Sequence, residues 1–151
     1  MAATCERVLN ALAPCGLSCE RCFAYRDGPI VRHARALKEE FGNFDVFAER
    51  FTKMNMPQFG NWKQFKALLD YLAVGYCQGC RRGQCIKPDC GVAECYKAGE
   101  MDFCYECKEF PCNKTNFDAH MEARWIAMNT RMKEIGPEAY YEESKNQPRY
   151  R

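Results

Sequence analysis

A chain of 151 residues, 47% hydrophobic and 28% charged, has the size and composition of one folded, soluble domain rather than a disordered or membrane-embedded one. Its 22 Lys and Arg against 20 Asp and Glu give a net charge of +2, and the two signs are mixed along the chain with no basic arm or stripe, which argues against a nucleic-acid partner. Its 12 cysteines call for a chemical reason: disulfides, metal thiolates or redox chemistry.

The compartment weighs between these. The first apolar run, Val8 to Ala13, is short and broken by Asn10, unlike the core of a signal peptide. No stretch approaches the roughly 18 apolar residues of a membrane span. The expected location is cytoplasmic, without membrane association, where thiols stay reduced and clustered cysteines bind metal more often than they cross-link.

The first chemical segment is "CGLSCERCFAY", with Cys15, Cys19 and Cys22 spaced C-x3-C-x2-C. Radical S-adenosylmethionine enzymes hold three irons of a cluster with that spacing. Such an enzyme needs strands after the cysteine loop and a longer chain, whereas helix signals follow Cys22, so the context excludes it. A structural metal knuckle is expected instead, with Ser18 capping a helical turn that sets Cys19 and Cys22 on one face at its positive end.

Three helices come next. Asp27, Gly28 and Pro29 start the first, Ile30, Ala34, Leu37 and Phe41 recur along it, and Gly42 ends it. The second begins at a cap on Asn43 and places Phe44, Phe47, Ala48 and Phe51 on one face. The third, from Trp62, points Phe65, Leu68, Leu69 and Leu72 inward and stops near Gly75. From Tyr76 the texture changes: "YCQGCRRGQCIKPDCGVAECYKAGEMDFCYECKEFPC" holds eight cysteines and little apolar periodicity, so its order has to come from cross-links such as metal. Only "VAECYKAGE" reads as a short helix. A long helix then carries Phe117, Met121, Trp125, Met128, Met132 and Ile135 from about Asn116 to Gly136, and "PEAYYEESK" forms another before the "NQPRYR" tail. With no period-two strand, the expected fold is mainly α: one domain over 1–151, its helical core at about 27–75 and 113–145 closed by the long helix, and its cysteine-rich segments at 15–22 and 77–112.

Cys19 with Cys22, Cys77 with Cys80, and Cys104 with Cys107 each have the C-x2-C spacing that lets a tight turn bring two sulfurs onto one ion. Gly79 suits such a turn. Cys85, Cys90, Cys95 and Cys112 stand at short spacings beside them.

Together "CGLSCERCFAY", "CQGCRRGQC", "AECYKAGEMDFCYECKEFPC" and "MKEIGPEAYYEESKNQPRY" resemble a family of uncharacterised bacterial and archaeal cysteine-rich proteins, a domain of unknown function. Its pattern starts Cys-Gly-Leu-x-Cys-x-x-Cys and ends Cys-x-x-Cys-x-x-Phe/Tyr-Pro-Cys. The resemblance implies metal binding through Cys15, Cys19, Cys22, Cys77, Cys80, Cys85, Cys90, Cys95, Cys104, Cys107 and Cys112, with Cys5 outside the pattern. Where relatives tend to have "IRKC", this chain has "VAEC" ending at Cys95, which removes basic residues an anion site there would use.

Eleven ligands divide as four, four and three, or as two full sites with spare thiols. Tetrahedral sulfur suits zinc or an iron–sulfur cluster. Arg81, Arg82, Lys87 and Lys97 among the cysteines and the small turn residues favour zinc as the cofactor, with the iron–sulfur cluster as the alternative. No catalytic constellation is evident. The expected function is a metal-binding protein with structural zinc sites; the rivals are an iron–sulfur electron-transfer protein and a thiol-redox or metal-delivery protein. The expected partner is an unidentified protein or a small anion. Outside the cysteines, His33 is expected to be a partly buried, satisfied residue. His120 and Arg124 flank the long helix's apolar stripe, where Arg124 is expected to pair with a carboxylate, a thiolate centre or an anionic ligand.

Overall fold

The computed structural model describes residues 4–83, 85–99 and 101–150. Among them are seven α-helices and no strand: α1 (Glu6–Ala11), α2 (Pro29–Phe41), α3 (Asp45–Lys53), α4 (Trp62–Val74), α5 (Gly91–Lys97), α6 (Ala119–Ile135) and α7 (Pro137–Ser144). The mainly helical class is as the periodicity predicts. Helix α1, in the run set aside as too short for a signal peptide, has no counterpart in the sequence reading. Glu100 and Arg151, at the ends of the predicted short helix and tail, lie outside the described residues.

Helices α2, α3 and α4 form one group. Helix α2 starts with Pro29 at its first position and ends at Gly42, with φ of 48°, a backbone state that costs glycine little. It packs on α4, and α3 packs on α4 and on the 3-10 turn Pro57–Asn61. An aromatic cluster joins them: Phe41 and Phe44 lie 4.8 and 4.7 Å from the Trp62 ring, and Phe51 lies 5.3 Å from Phe59. Arg35 spans the group, its Nε donating to the Ala73 carbonyl at 2.8 Å and its Nη2 to that of Val74 at 2.9 Å. These are carbonyls that the end of α4 leaves without helical partners.

Three expectations fail in this group. Asn43 is not the cap of α3, whose N-cap position is Phe44, with no side-chain cap. In α4 only Leu69 is buried, while Phe65 is 41% and Leu68 57% exposed. Phe47 on α3 is half exposed as well. A layer of three short helices has one inner face, too narrow to cover every apolar side chain that helical spacing brings round.

Nor does α6 close a common core over α2–α4. It packs on α7 and on the 3-10 turn Cys104–Glu106, and α1 packs on α7. Asp118 caps α6 by accepting from the Met121 N–H at 2.9 Å. Trp125 and Met132 are buried. Met132, Val8, Leu12, Phe103, Tyr140 and Tyr141 share one apolar cluster. A second cluster is built around cysteines: Cys15, Cys19, Cys90 and Cys104 pack with Ala13, Val92, Ala93 and Trp125. The cysteine-rich loops therefore carry a core of their own.

Candidate metal centre

The first cysteine segment is held by turns. Leu12 and Ser18 form an isolated bridge, and the Cys19 N–H donates to the Ala11 carbonyl at 2.7 Å. Residues 13–28 contain no helix, so the predicted cap at Ser18 does not form; the Ser18 hydroxyl is buried and unpartnered instead. A parallel bridge between Tyr25 and Cys77 joins this segment to the second, through Arg26 N–H to the Cys77 carbonyl at 2.8 Å and Cys77 N–H to the Ala24 carbonyl at 2.9 Å. Arg81 adds a further tie. Its side chain, 8% exposed, donates to the Leu12 and Asp102 carbonyls at 3.2 and 2.7 Å and lies over the Tyr96 and Phe103 rings at 4.9 and 4.8 Å.

These ties gather the cysteines in a way the spacing does not foretell. The Cys19, Cys80, Cys85 and Cys90 thiols are hydrogen-bonded in series. Cys22 packs with Cys77 in a separate small cluster. The first two C-x2-C pairs thus meet, with Cys19 at Cys80, Cys22 packed on Cys77, and Cys77 near Cys19 as well. Cys104 and Cys107 do stay together: with Cys95 and Cys112 they line a cavity of about 40 Å³. Cys15 lies between the two groups, close enough to feel the charges of both Cys19 and Cys104. Cys5 is exposed and apart from them. No disulfide joins any of these cysteines. Among the described residues, no three or more His, Cys, Asp or Glu side chains stand in an arrangement that could hold a metal ion.

The sulfurs do have donors aimed at them. The Gly79 N–H reaches Cys77 Sγ at 3.3 Å, and the Glu109 N–H reaches Cys107 Sγ at 3.4 Å. Gly79 has a φ of 96°, which bends the chain back onto Cys77 at a conformation that glycine adopts without strain. The backbone N–H groups of Leu17, Cys80, Lys87 and Ala93 are directed at Cys15, Cys19, Cys85 and Cys90. Six thiols therefore face backbone donors, which favour a thiolate over a thiol.

Burial opposes them to differing degrees. It pushes the Cys15 thiol up to about 12 and that of Cys104 up to about 11. Within the series, Cys80 is pushed up by its contacts with Cys19 and Cys85, while Cys19 and Cys85 are held below the ordinary thiol value by theirs with Cys80. The Trp125 indole N–H is buried and forms no regular hydrogen bond. It faces the Cys104 sulfur and favours its thiolate.

The C-terminal segment, read from sequence as a tail, contributes a cation. Arg149 donates through Nη1 to the Ser18 carbonyl, and its guanidinium lies near Cys15, Cys19 and Cys22. The Tyr150 hydroxyl accepts from the Phe23 N–H at 3.0 Å and donates to Cys22 Sγ at 3.7 Å. The signal that could have found both was present, because the family-like stretch ran through Tyr150. Arg124 corrects an expectation: its Nη2 donates to the Arg149 carbonyl at 2.9 Å, a backbone oxygen and not a carboxylate or thiolate. It holds the segment that brings Arg149 to the thiols. His120 and His33 are both exposed, so neither joins the centre and His33 is not a partly buried residue.

Two further residues escaped the sequence reading. Asn129, wholly buried on α6, donates to the Cys15 carbonyl at 2.9 Å and to that of Trp125 at 3.0 Å, and accepts from the Tyr105 N–H at 3.1 Å. Gly91 lies against the strand of chain after Cys112, where a Cβ would be 1.8 Å from the Lys114 carbonyl oxygen.

No curated protein and no solved structure matches the chain significantly. A family model described as "Protein of unknown function (DUF3795)" matches residues 11–117. That span takes in all eleven cysteines gathered here and leaves α6, α7 and the Arg149 segment beyond its end. The chain belongs to this uncharacterised family.

Proposed function

We propose that the protein binds metal through its cysteines, with zinc in structural sites. In this reading two groups of thiols close on ions when metal binds, Cys19, Cys80, Cys85 and Cys90 in one and Cys95, Cys104, Cys107 and Cys112 in the other; neither group stands preformed as an ion site among the described residues. Cys15, Cys22 and Cys77 complete the thiol-rich core between and beside them. The observation that carries the reading is the convergence of backbone N–H donors on six sulfurs. A neutral thiol is a weak acceptor, and a disulfide sulfur has little use for a donor. A metal-bound thiolate carries charge that such donors spread. The buried Trp125 N–H beside the second set and the Arg149 guanidinium beside the first act in the same sense.

Zinc is favoured because four thiolates around a divalent ion leave a net negative charge that Arg149, Arg81 and the N–H groups offset, and because a site closed by protein ligands suits a structural ion. No helix among the described residues is long and apolar enough to cross a membrane, and reduced thiols fit a cytoplasmic setting. The alternative, an iron–sulfur cluster serving electron transfer, uses the same donor set.

Metal analysis and the visible spectrum of anaerobically purified protein test this. The expected result is colourless protein holding zinc, which on chelation loses ellipticity and thermal stability, since binding energy and folding energy are shared in such sites. Brown protein with iron and sulfide would replace zinc by the cluster. Metal-free protein with an unchanged thermal midpoint would overturn both.

A further inference from the structure

A cleft outside the thiol core lies where α1, the first cysteine segment, the start of α2 and the end of α7 meet. Its volume, about 610 Å³, is in the range that holds a small organic molecule. Its walls carry Arg7, Arg21, Arg32 and Lys145 against the carboxylates Glu20 and Asp27. Lys145 is already paired with Glu142. The three arginines are not in ion pairs among the described residues, yet each is held in place.

Arg21 Nη1 donates to the Lys145 carbonyl at 2.8 Å. Arg32 Nη1 donates to the Asp27 carbonyl. The Arg7 guanidinium lies 5.4 Å from the centre of the Tyr141 ring. For Arg21 and Arg32 that contact uses one of five N–H donors. Three arginines thus line one cleft, Arg7 set against Tyr141 and Arg21 and Arg32 each with most of its donors uncommitted. Glu20 is turned to the Tyr141 hydroxyl, at 3.5 Å, and Asp27 is exposed, so neither neutralises them by contact. Tyr25 also lines the cleft, and its ring adjoins Gly79 of the thiol core.

We propose that this cleft binds a small phosphate-bearing molecule, its phosphate held by Arg7, Arg21 and Arg32. Guanidinium groups match phosphate oxygens with paired N–H donors, and several converging on one anion suit a multiply charged group better than a single carboxylate. The proposal does not depend on which metal the cysteines hold.

Titration calorimetry on the protein as purified tests it, with inorganic phosphate, pyrophosphate and adenosine monophosphate as probes and metal content measured in every sample. Arg7→Gln and Arg32→Gln are the informative variants, because both residues are exposed and neither ties the thiol segments together. Each is expected to weaken binding of the tightest probe by about tenfold, as loss of a charge-assisted contact does. Arg50→Gln, on exposed α3, makes the same charge change away from the cleft and should leave affinity within about twofold. Binding of none of the three probes would overturn the proposal, and so would an equal loss in Arg50→Gln, which would mark unspecific charge attraction. Unchanged metal content in the arginine variants keeps this outcome separate from the fate of the metal centre.

Discussion

The side-chain amide of Asn129 donates to the backbone carbonyl of Cys15 at 2.9 Å, from a position on α6 that no solvent reaches. The same side chain accepts from the Tyr105 N–H, one residue after Cys104. One amide thus fixes the Cys15 and Cys104 stretches on the long helix, and the thiol core inherits its alignment from that point.

Replacing Asn129 by Leu keeps the volume but leaves the Tyr105 N–H and one Cys15 acceptor unpaired in the interior. A loss of about 2–4 kcal/mol is expected, from one to two buried groups at about 1–3 kcal/mol each. Urea unfolding of the metal-loaded protein measures it. A variant with parental stability would show that the amide's contacts do not hold α6 to the cysteine segments.

Gly91 follows Cys90 and touches the backbone after Cys112, so it sets how closely the Cys90 and Cys112 stretches approach. With a Cβ 1.8 Å from a carbonyl oxygen, Gly91→Ala forces the Lys114 backbone away; α5 cannot absorb a displacement of that size by rotating a side chain. The expected outcome is loss of about 3 kcal/mol or more, as for severe overpacking, together with a fall in bound metal. Metal content and the thermal midpoint are the measurements, and a soluble variant that keeps both would contradict this placement.

Cys5 and Cys107 provide a matched pair. Cys5 is exposed and lies away from the thiol groups, whereas Cys107 lines the cavity with Cys95, Cys104 and Cys112 and accepts from the Glu109 N–H. Cys5→Ser should leave metal stoichiometry intact and Cys107→Ser should reduce it. Equal loss in both variants would mean that the N-terminal thiol is a ligand after all.

Acid should act on the α2–α4 group through Asp45. Its carboxylate accepts from Lys66 Nζ at 2.5 Å and from the Trp62 indole N–H at 3.2 Å, and these contacts hold it below the usual carboxylate value. A group with a depressed folded value adds stability above its unfolded value, near 3.8, and loses it as the pH falls through the lowered one. The gap in thermal midpoint between the parent and Asp45→Asn should therefore be full at about pH 6 and close below about pH 4. A gap independent of pH would exclude the carboxylate charge as its source.

The sequence by itself determined most of the helices and the thiol content, though not α1. Helical spacing, Pro29, Gly42, Gly136 and Pro137 punctuate the chain locally, so α2, α6 and α7 were legible within a few residues. The number and spacing of cysteines announced a thiol-rich core for the same reason, since ligand type is a property of the residue. Which thiols stand together was decided only by tertiary structure. The Tyr25–Cys77 bridge, Asn129 and the Gly91 contact join stretches far apart in sequence, and they bring Cys19 and Cys22 up to Cys77 and Cys80. Exposure of Phe65 and Leu68 was equally out of reach of a helical pattern, because periodicity gives the apolar face of a helix but not how much of that face a neighbour covers. Arg149 and Arg124 show the same limit: an arginine near the end of a chain has the charge to serve a thiol centre, and only the fold brings it there.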